Sequence, residues 1–194
     1  DNGSEITNVE YIVDVSSVDA SPSDTWLTVS PSTVEGPITV TGLANGTTYA
    51  LRLRAINAVG AGAPSEAAPA APFTIPGAPT ITTVTESDQA VEVAFTMGDA
   101  NGSVVSNVEY VVSTVDLSMS DAWVPLDPAS LTGPFTISGL TNGESYFVRV
   151  RSRSNAGSGV PSAASTVSPF TTPGAPTITT IVAGETSLDV QWTE

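Results

Sequence analysis

Short runs of alternating apolar and polar residues recur along the chain, broken about every ten residues by clusters of Gly, Pro, Asn, Asp and Ser. Val91, Val93 and Phe95 alternate with Glu92 and Ala94, and Val9, Tyr11 and Val13 alternate with Glu10, Ile12 and Asp14. Val108, Tyr110 and Val112 follow the same pattern. Ile38 and Val40, like Phe135 and Ile137, precede an Asn-Gly turn. After that turn Tyr49, Leu51 and Leu53 (Tyr146, Val148 and Val150) fall on one side and arginines on the other. A side-chain period of two with one wet face predicts strands, and no helical period competes. Antiparallel sheets packed face to face, an all-β sandwich, are the expected fold.

The pattern is duplicated. Pro76–Thr82 (PGAPTIT) returns as Pro173–Thr179, a separation of 173 − 76 = 97 residues. At that spacing Trp26 returns as Trp123, Gly42-Leu43 as Gly139-Leu140, Asn45-Gly46 as Asn142-Gly143, and Pro64-Ser65 as Pro161-Ser162. A repeat this long describes tandem small domains rather than a solenoid. Its phase is shifted. Asp1-Asn2-Gly3-Ser4 corresponds to Asp99–Ser103, well inside the second repeat, and Pro173–Glu194 corresponds only to the opening quarter, Pro76 to about Met97.

Charge narrows the choice of partners. Twenty acidic residues against five basic ones give a net charge of −15, and all five cations are arginines: Arg52, Arg54, Arg149, Arg151 and Arg153. Such a chain is repelled by nucleic acid and by anionic lipid. No apolar run approaches a membrane span, so no membrane insertion is expected. With no His, Cys or Lys, neither nucleophile–histidine nor Schiff-base schemes can be assembled. The acids fall on loops and strand exteriors, so no catalytic residues, no enzyme activity, no metal site and no cofactor are expected. Asp99–Ser103 has a faint likeness to a calcium loop but lacks its third acidic ligand and distal glutamate, and turn chemistry explains it better. Asn2, Asn45 and Asn101 head formal glycosylation sequons that suit φ > 0 turns equally well.

Pro-Gly-Ala-Pro-Thr entering a first strand, an aromatic closing the second (Phe95, Trp192), a tyrosine in the third, and Gly-Leu-x-Asn-Gly-x-x-Tyr running into Val-Arg-Val-Arg resemble the fibronectin type III domain. The resemblance is to tandem forms found in large bacterial extracellular proteins. It implies a seven-stranded immunoglobulin-like sandwich in which Tyr49 and Tyr146 form a tyrosine corner. Phe95 stands where tryptophan is usual, and no Arg-Gly-Asp is present.

Mapped onto that fold, residues 76–172 form a complete domain. Residues 1–75 supply strands C to G without A and B, and residues 173–194 supply an A and B. Three arrangements are open: a fragment of a longer array, head-to-tail completion of residues 1–75 by the terminal strands of another copy, or closure of the ends within one chain. The partners expected are therefore other copies or neighbouring repeats.

The arginines, Arg52 and Arg149 among them, fall on the outer face of strand F, where cross-strand pairing with Glu10, Asp14 and Glu109 on strand C is expected. Trp26 and Trp123 each begin a short strand after an acidic turn. They either cover the core's open side or offer a stacking surface to a protein or glycan, and Pro125 places the second strand at a sheet edge. The function expected is that of a structural spacer or filament segment, extracellular or at a bacterial-type cell surface. Short Pro-rich connections at 74–79 and 171–176 limit its hinge freedom. The alternatives are an adhesin-type recognition module using loops 97–106, 114–121 and 155–161, and an accessory domain of a larger secreted enzyme.

Overall fold

The computed structural model describes residues 2–15, 25–116 and 122–194; part of the 114–121 loop lies outside them. All regular structure among the described residues is β. Residues 76–172 hold two antiparallel sheets. One is formed by β6 (Thr80–Ser87), β7 (Ala90–Thr96) and β10 (Phe135–Ser138), in the order β10-β7-β6. The other is built on β8 (Val105–Ser113) and β11 (Tyr146–Ser154), flanked by β9 (Val124–Pro125), β12 (Gly157–Ser158) and β13 (Ser165–Val167). This is the sandwich the alternation predicts. Val91, Val93 and Phe95 from one sheet meet Val108, Val148 and Val150 from the other, and Ile137, Leu140 and Val167 close the core. Burying a side chain of that size fully contributes about 1.5–3 kcal/mol, so this core carries the fold. As its proline requires, β9 pairs only with β8.

One core position departs from the apolar rule. Ser152 is fully buried on the inner face of β11, and its hydroxyl has no hydrogen-bond partner among the described residues. The equivalent position of the other repeat (152 − 97 = 55) is Ala55. An unpaired buried hydroxyl costs on the order of 1–3 kcal/mol, partly offset by the packing it provides. Ser152→Ala is therefore expected to stabilise residues 76–172 by about 1 kcal/mol in urea unfolding. A loss of stability would show that the hydroxyl is satisfied.

The rest of the chain repeats these elements without the second layer. Residues 1–75 form one sheet: β1 (Ile6–Asp14), β2 (Leu27–Thr28), β3 (Tyr49–Asn57), β4 (Gly60–Ala61) and β5 (Ala68–Ala70). The order is β2-β1-β3-β4, with β5 also on β3. No described residue in this segment is buried. The strand expected at Ile38 and Val40 does not form: residues 38–41 carry no strand. The reason is visible in the complete unit, where β10 pairs with β7 alone; the counterpart of β7 lies elsewhere.

That counterpart is β15 (Leu188–Thr193), which pairs with β14 (Thr177–Ala183) as an isolated hairpin exposed along its whole length. Trp192, expected to close a core, is 64% exposed, against 8% for Phe95 at the equivalent position 192 − 97 = 95. Closure of the two ends within one chain is not the arrangement observed, since β14 and β15 make their substantial contacts only with each other. The hairpin is nevertheless locally complete. Its register shifts between Ile178 and Thr180, just as β6–β7 shifts between Ile81 and Thr83.

Candidate interaction surfaces

The β8–β11 sheet carries three of the chain's five cations, Arg149, Arg151 and Arg153. Glu109 faces outward as expected, yet it is only 3% exposed. Its two oxygens accept from Arg151 Nε at 2.7 Å and Arg153 Nη1 at 2.8 Å. Burial alone would raise its pKa, but the two guanidinium groups outweigh burial and hold the carboxyl below its ordinary value. Arg149 forms a two-pronged pair with Asp116, Nε to Oδ1 at 2.8 Å and Nη2 to Oδ2 at 2.7 Å. That hydrogen bonding lowers the Asp116 pKa and raises that of Arg149. In the first repeat Arg54 pairs with Glu10 at 2.6 Å. The second cation is missing there because position 153 − 97 = 56 holds Ile56.

Trp26 and Trp123 belong to this face rather than to the core's open side. The Arg54 guanidinium lies 4.3 Å from the centre of the Trp26 ring, and Arg151 lies 4.3 Å from that of Trp123. Each tryptophan roofs an arginine that is already ion-paired, a stacking contact contributing about 0.5–1 kcal/mol at an exposed site. Both rings are partly covered, and one face of each is occupied by the arginine.

Side chains that set the loops account for the remaining repeated residues. The Tyr49 hydroxyl accepts from Ala44 N and the Tyr146 hydroxyl from Thr141 N, each at 3.0 Å, in the tyrosine-corner arrangement. Two other devices were not foreseen. Ser65 and Ser162 insert a hydroxyl into the ladder, accepting from Leu53 N and Val150 N, while their carbonyls accept from Arg52 and Arg149. Asn8 and Asn107 reach across to Val29 O and Leu126 O and accept from Thr33 N and Ser130 N, holding the connection beyond the edge strand. Their repetition, Pro-Ser at a spacing of 161 − 64 = 97 and Asn-Val-Glu-Tyr at 107 − 8 = 99, is available in the sequence. Their tasks depend on loops meeting in space.

The junction between the first two repeats is a backbone clasp. Thr74 N donates to Asn101 O at 3.1 Å and Gly77 N to Asp99 O at 2.8 Å, while Asn101 Nδ2 donates to Ile75 O at 3.0 Å. The turn at Asn45-Gly46 presses on the turn at Asn101-Gly102. A Cβ on Gly102, whose φ is +77°, would lie 2.6 Å from Gly46 N and 2.8 Å from Pro72 O. Both the dihedral and the space require glycine. The Asp99 carboxylate accepts from Asn101 N at 2.7 Å, so the motif with a faint calcium-loop likeness is a turn that sets the clasp. No group of three or more acidic side chains able to hold a metal gathers among the described residues. No helix is long and apolar enough to cross a membrane.

What remains open is the inner face of the β1–β3 sheet. A groove of about 580 Å³ lined by residues including Tyr11, Pro31, Pro37 and Ile38 lies beside it, and the complete unit has its counterpart of about 470 Å³ at Tyr110, Pro128, Pro134 and Phe135. Residues 1–71 match the fibronectin type III domain family. A crystal structure of the chicken CNTN1 FN1-FN3 domains is similar to the chain at 18% identity with a TM-score of 0.44, over 84% of this chain and 56% of that one. The chain thus spans about half the length of that solved structure.

Proposed function

We propose that the chain is a spacer segment of an extracellular modular array, in which fibronectin type III units follow one another at a held angle. The clasp at residues 72–77 and 98–102 supports this reading above all. Two hydrogen bonds, Thr74 N to Asn101 O and Asn101 Nδ2 to Ile75 O, and a glycine–glycine contact join consecutive units where a flexible linker would leave them independent. The arginines and tryptophans on the outer sheet are engaged with one another, which favours a structural part over a recognition module or the accessory domain of an enzyme. A net charge of −15 keeps such a segment soluble and discourages lateral association.

Gly102→Val tests the spacer reading. The substitution forces a Cβ into the Gly46 backbone and should open the clasp while leaving the core of residues 76–172 intact. Small-angle scattering should show a broader distribution of maximum dimensions, and amide 74, which donates to Asn101 O, should lose protection by about tenfold or more. Unchanged protection and shape would show that the clasp does not hold the units.

A further inference from the structure

We propose that the Asn101-Gly102 turn is a site of spontaneous covalent modification, where loss of ammonia from the Asn101 side chain releases the clasp. The inference rests on the spacer reading above and names the chemistry by which a held junction is let go. An asparagine followed by glycine is the dipeptide most open to this reaction, because a residue without Cβ lets its amide nitrogen approach the preceding side chain. Apart from Asn2-Gly3, the chain has three such pairs: Asn45-Gly46, Asn101-Gly102 and Asn142-Gly143.

Their surroundings separate them. Gly46 N donates to Pro72 O and Gly143 N to Pro169 O, each at 2.8 Å. Those bonds retain the proton that has to leave before the nitrogen can attack. Asn142 is restrained further, its Oδ1 accepting from Gln89 N and its Nδ2 donating to the Asp88 carboxylate, both at 2.8 Å. Gly102 N, by contrast, donates to no described residue, and Gly102 is exposed to solvent. The carbonyl of the same peptide unit, Asn101 O, accepts from Thr74 N at 3.1 Å. A hydrogen bond there polarises the amide and eases removal of the Gly102 proton.

The step needs only water. Hydroxide takes the Gly102 N–H proton, the nitrogen attacks Asn101 Cγ, and a cyclic imide forms as the Cγ–Nδ2 bond breaks and ammonia leaves. Water then opens the ring. Attack at Cγ leaves an aspartate side chain at position 101, and attack at the main-chain carbonyl routes the backbone through Cγ as isoaspartate. Nothing is oxidised or reduced. Either product removes a part of the clasp. Asn101 Nδ2 donates to Ile75 O at 3.0 Å, whereas a carboxylate can only accept and would set a negative oxygen against that carbonyl. The Asp99 carboxylate is already close, accepting from Asn101 N at 2.7 Å, so the new charge meets a like one. Isoaspartate in addition lengthens the main chain in a turn held at φ +49° and +77°. That turn has no slack, since a Cβ on Gly102 would lie 2.6 Å from Gly46 N.

The full chain, held folded in mildly alkaline buffer, is sampled over time and its peptides are weighed for the mass gain of an amide-to-acid change. Asn101 should convert about tenfold faster than Asn45 or Asn142, the factor that one amide hydrogen bond on the attacking nitrogen accounts for. A rate at Asn101 no higher than at the other two would overturn the inference. Asn101→Asp reproduces one product directly. Its amide 74 should lose hydrogen-exchange protection by about tenfold, while the near-ultraviolet circular dichroism of residues 76–172 stays unchanged. Protection kept in Asn101→Asp but lost in Gly102→Val would overturn the release and leave the spacer reading standing. Protection kept in both variants would remove the spacer reading itself, so the two failures give different results.

Discussion

Phe95→Ala should destabilise residues 76–172 by about 3–5 kcal/mol, while Trp192→Ala, at concentrations where the chain is monomeric, should change stability by no more than about 0.5 kcal/mol. The two aromatics occupy equivalent places in the repeat, and tryptophan is the larger. What separates them is surroundings. Phe95 is nearly buried, with its ring edge-on to Phe135 at a centroid distance of 6.0 Å and Gly133 against its other side. Truncating it removes apolar area and leaves a cavity between two sheets that cannot collapse without moving strands. Trp192 stands in water on a hairpin with no layer behind it, so truncation removes little that folding had buried. Urea unfolding of each variant, followed by near-ultraviolet circular dichroism, measures both. Equal losses would mean that the hairpin is packed within the monomer, contrary to the architecture described above.

Glu109→Gln should cost about 2–3 kcal/mol at pH 7, a difference that shrinks in acid. The carboxylate serves two guanidinium groups under a tryptophan roof, and hydrogen bonds to charged groups are stronger than neutral ones. A glutamine can accept one of those bonds but leaves two cations side by side. Arg153 is largely in water, which keeps the cost below that of breaking a fully buried pair. The pH dependence follows from the lowered pKa. The folded protein binds the Glu109 proton less readily than the unfolded chain, whose value is near the ordinary 4.5. The stabilisation is therefore fully present above about pH 4.5 and disappears as pH falls through the depressed folded value. Wild-type and Glu109→Gln stabilities should be well separated at pH 7 and converge towards pH 3. Parallel curves across that range would assign the loss to packing rather than to charge.

Much of this molecule could be read from alternation and turns. The period of two in Val91–Phe95 and Tyr146–Arg153 depends only on the geometry of an extended chain, so strands and their wet faces follow without knowledge of neighbours. The Asn-Gly turns and the tyrosine six residues beyond the leucine of each Gly-Leu dipeptide are local, and the corner hydrogen bonds form as that spacing implies. The arginine–glutamate pairs were also legible, because strands C and F are adjacent in this fold and register does the rest.

Tertiary structure decided everything that depends on what lies opposite. Ile38–Thr41 carries the same pattern as Phe135–Ser138, yet only the second is a strand, because a strand's hydrogen bonds need a partner and β7 is present for one segment alone. Alternation places Glu109 on an exterior face, but its burial comes with Arg151, Arg153 and Ser158, which bond its oxygens and which no alternation encodes. The clasp at Gly46 and Gly102 brings two loops from different repeats within atomic contact, and only coordinates show that such a contact forms. The sequence by itself thus determined the elements, their faces and the repeat. The three-dimensional structure determined which apolar faces found a second layer, since burial belongs to pairs of surfaces and a single strand carries only half of each.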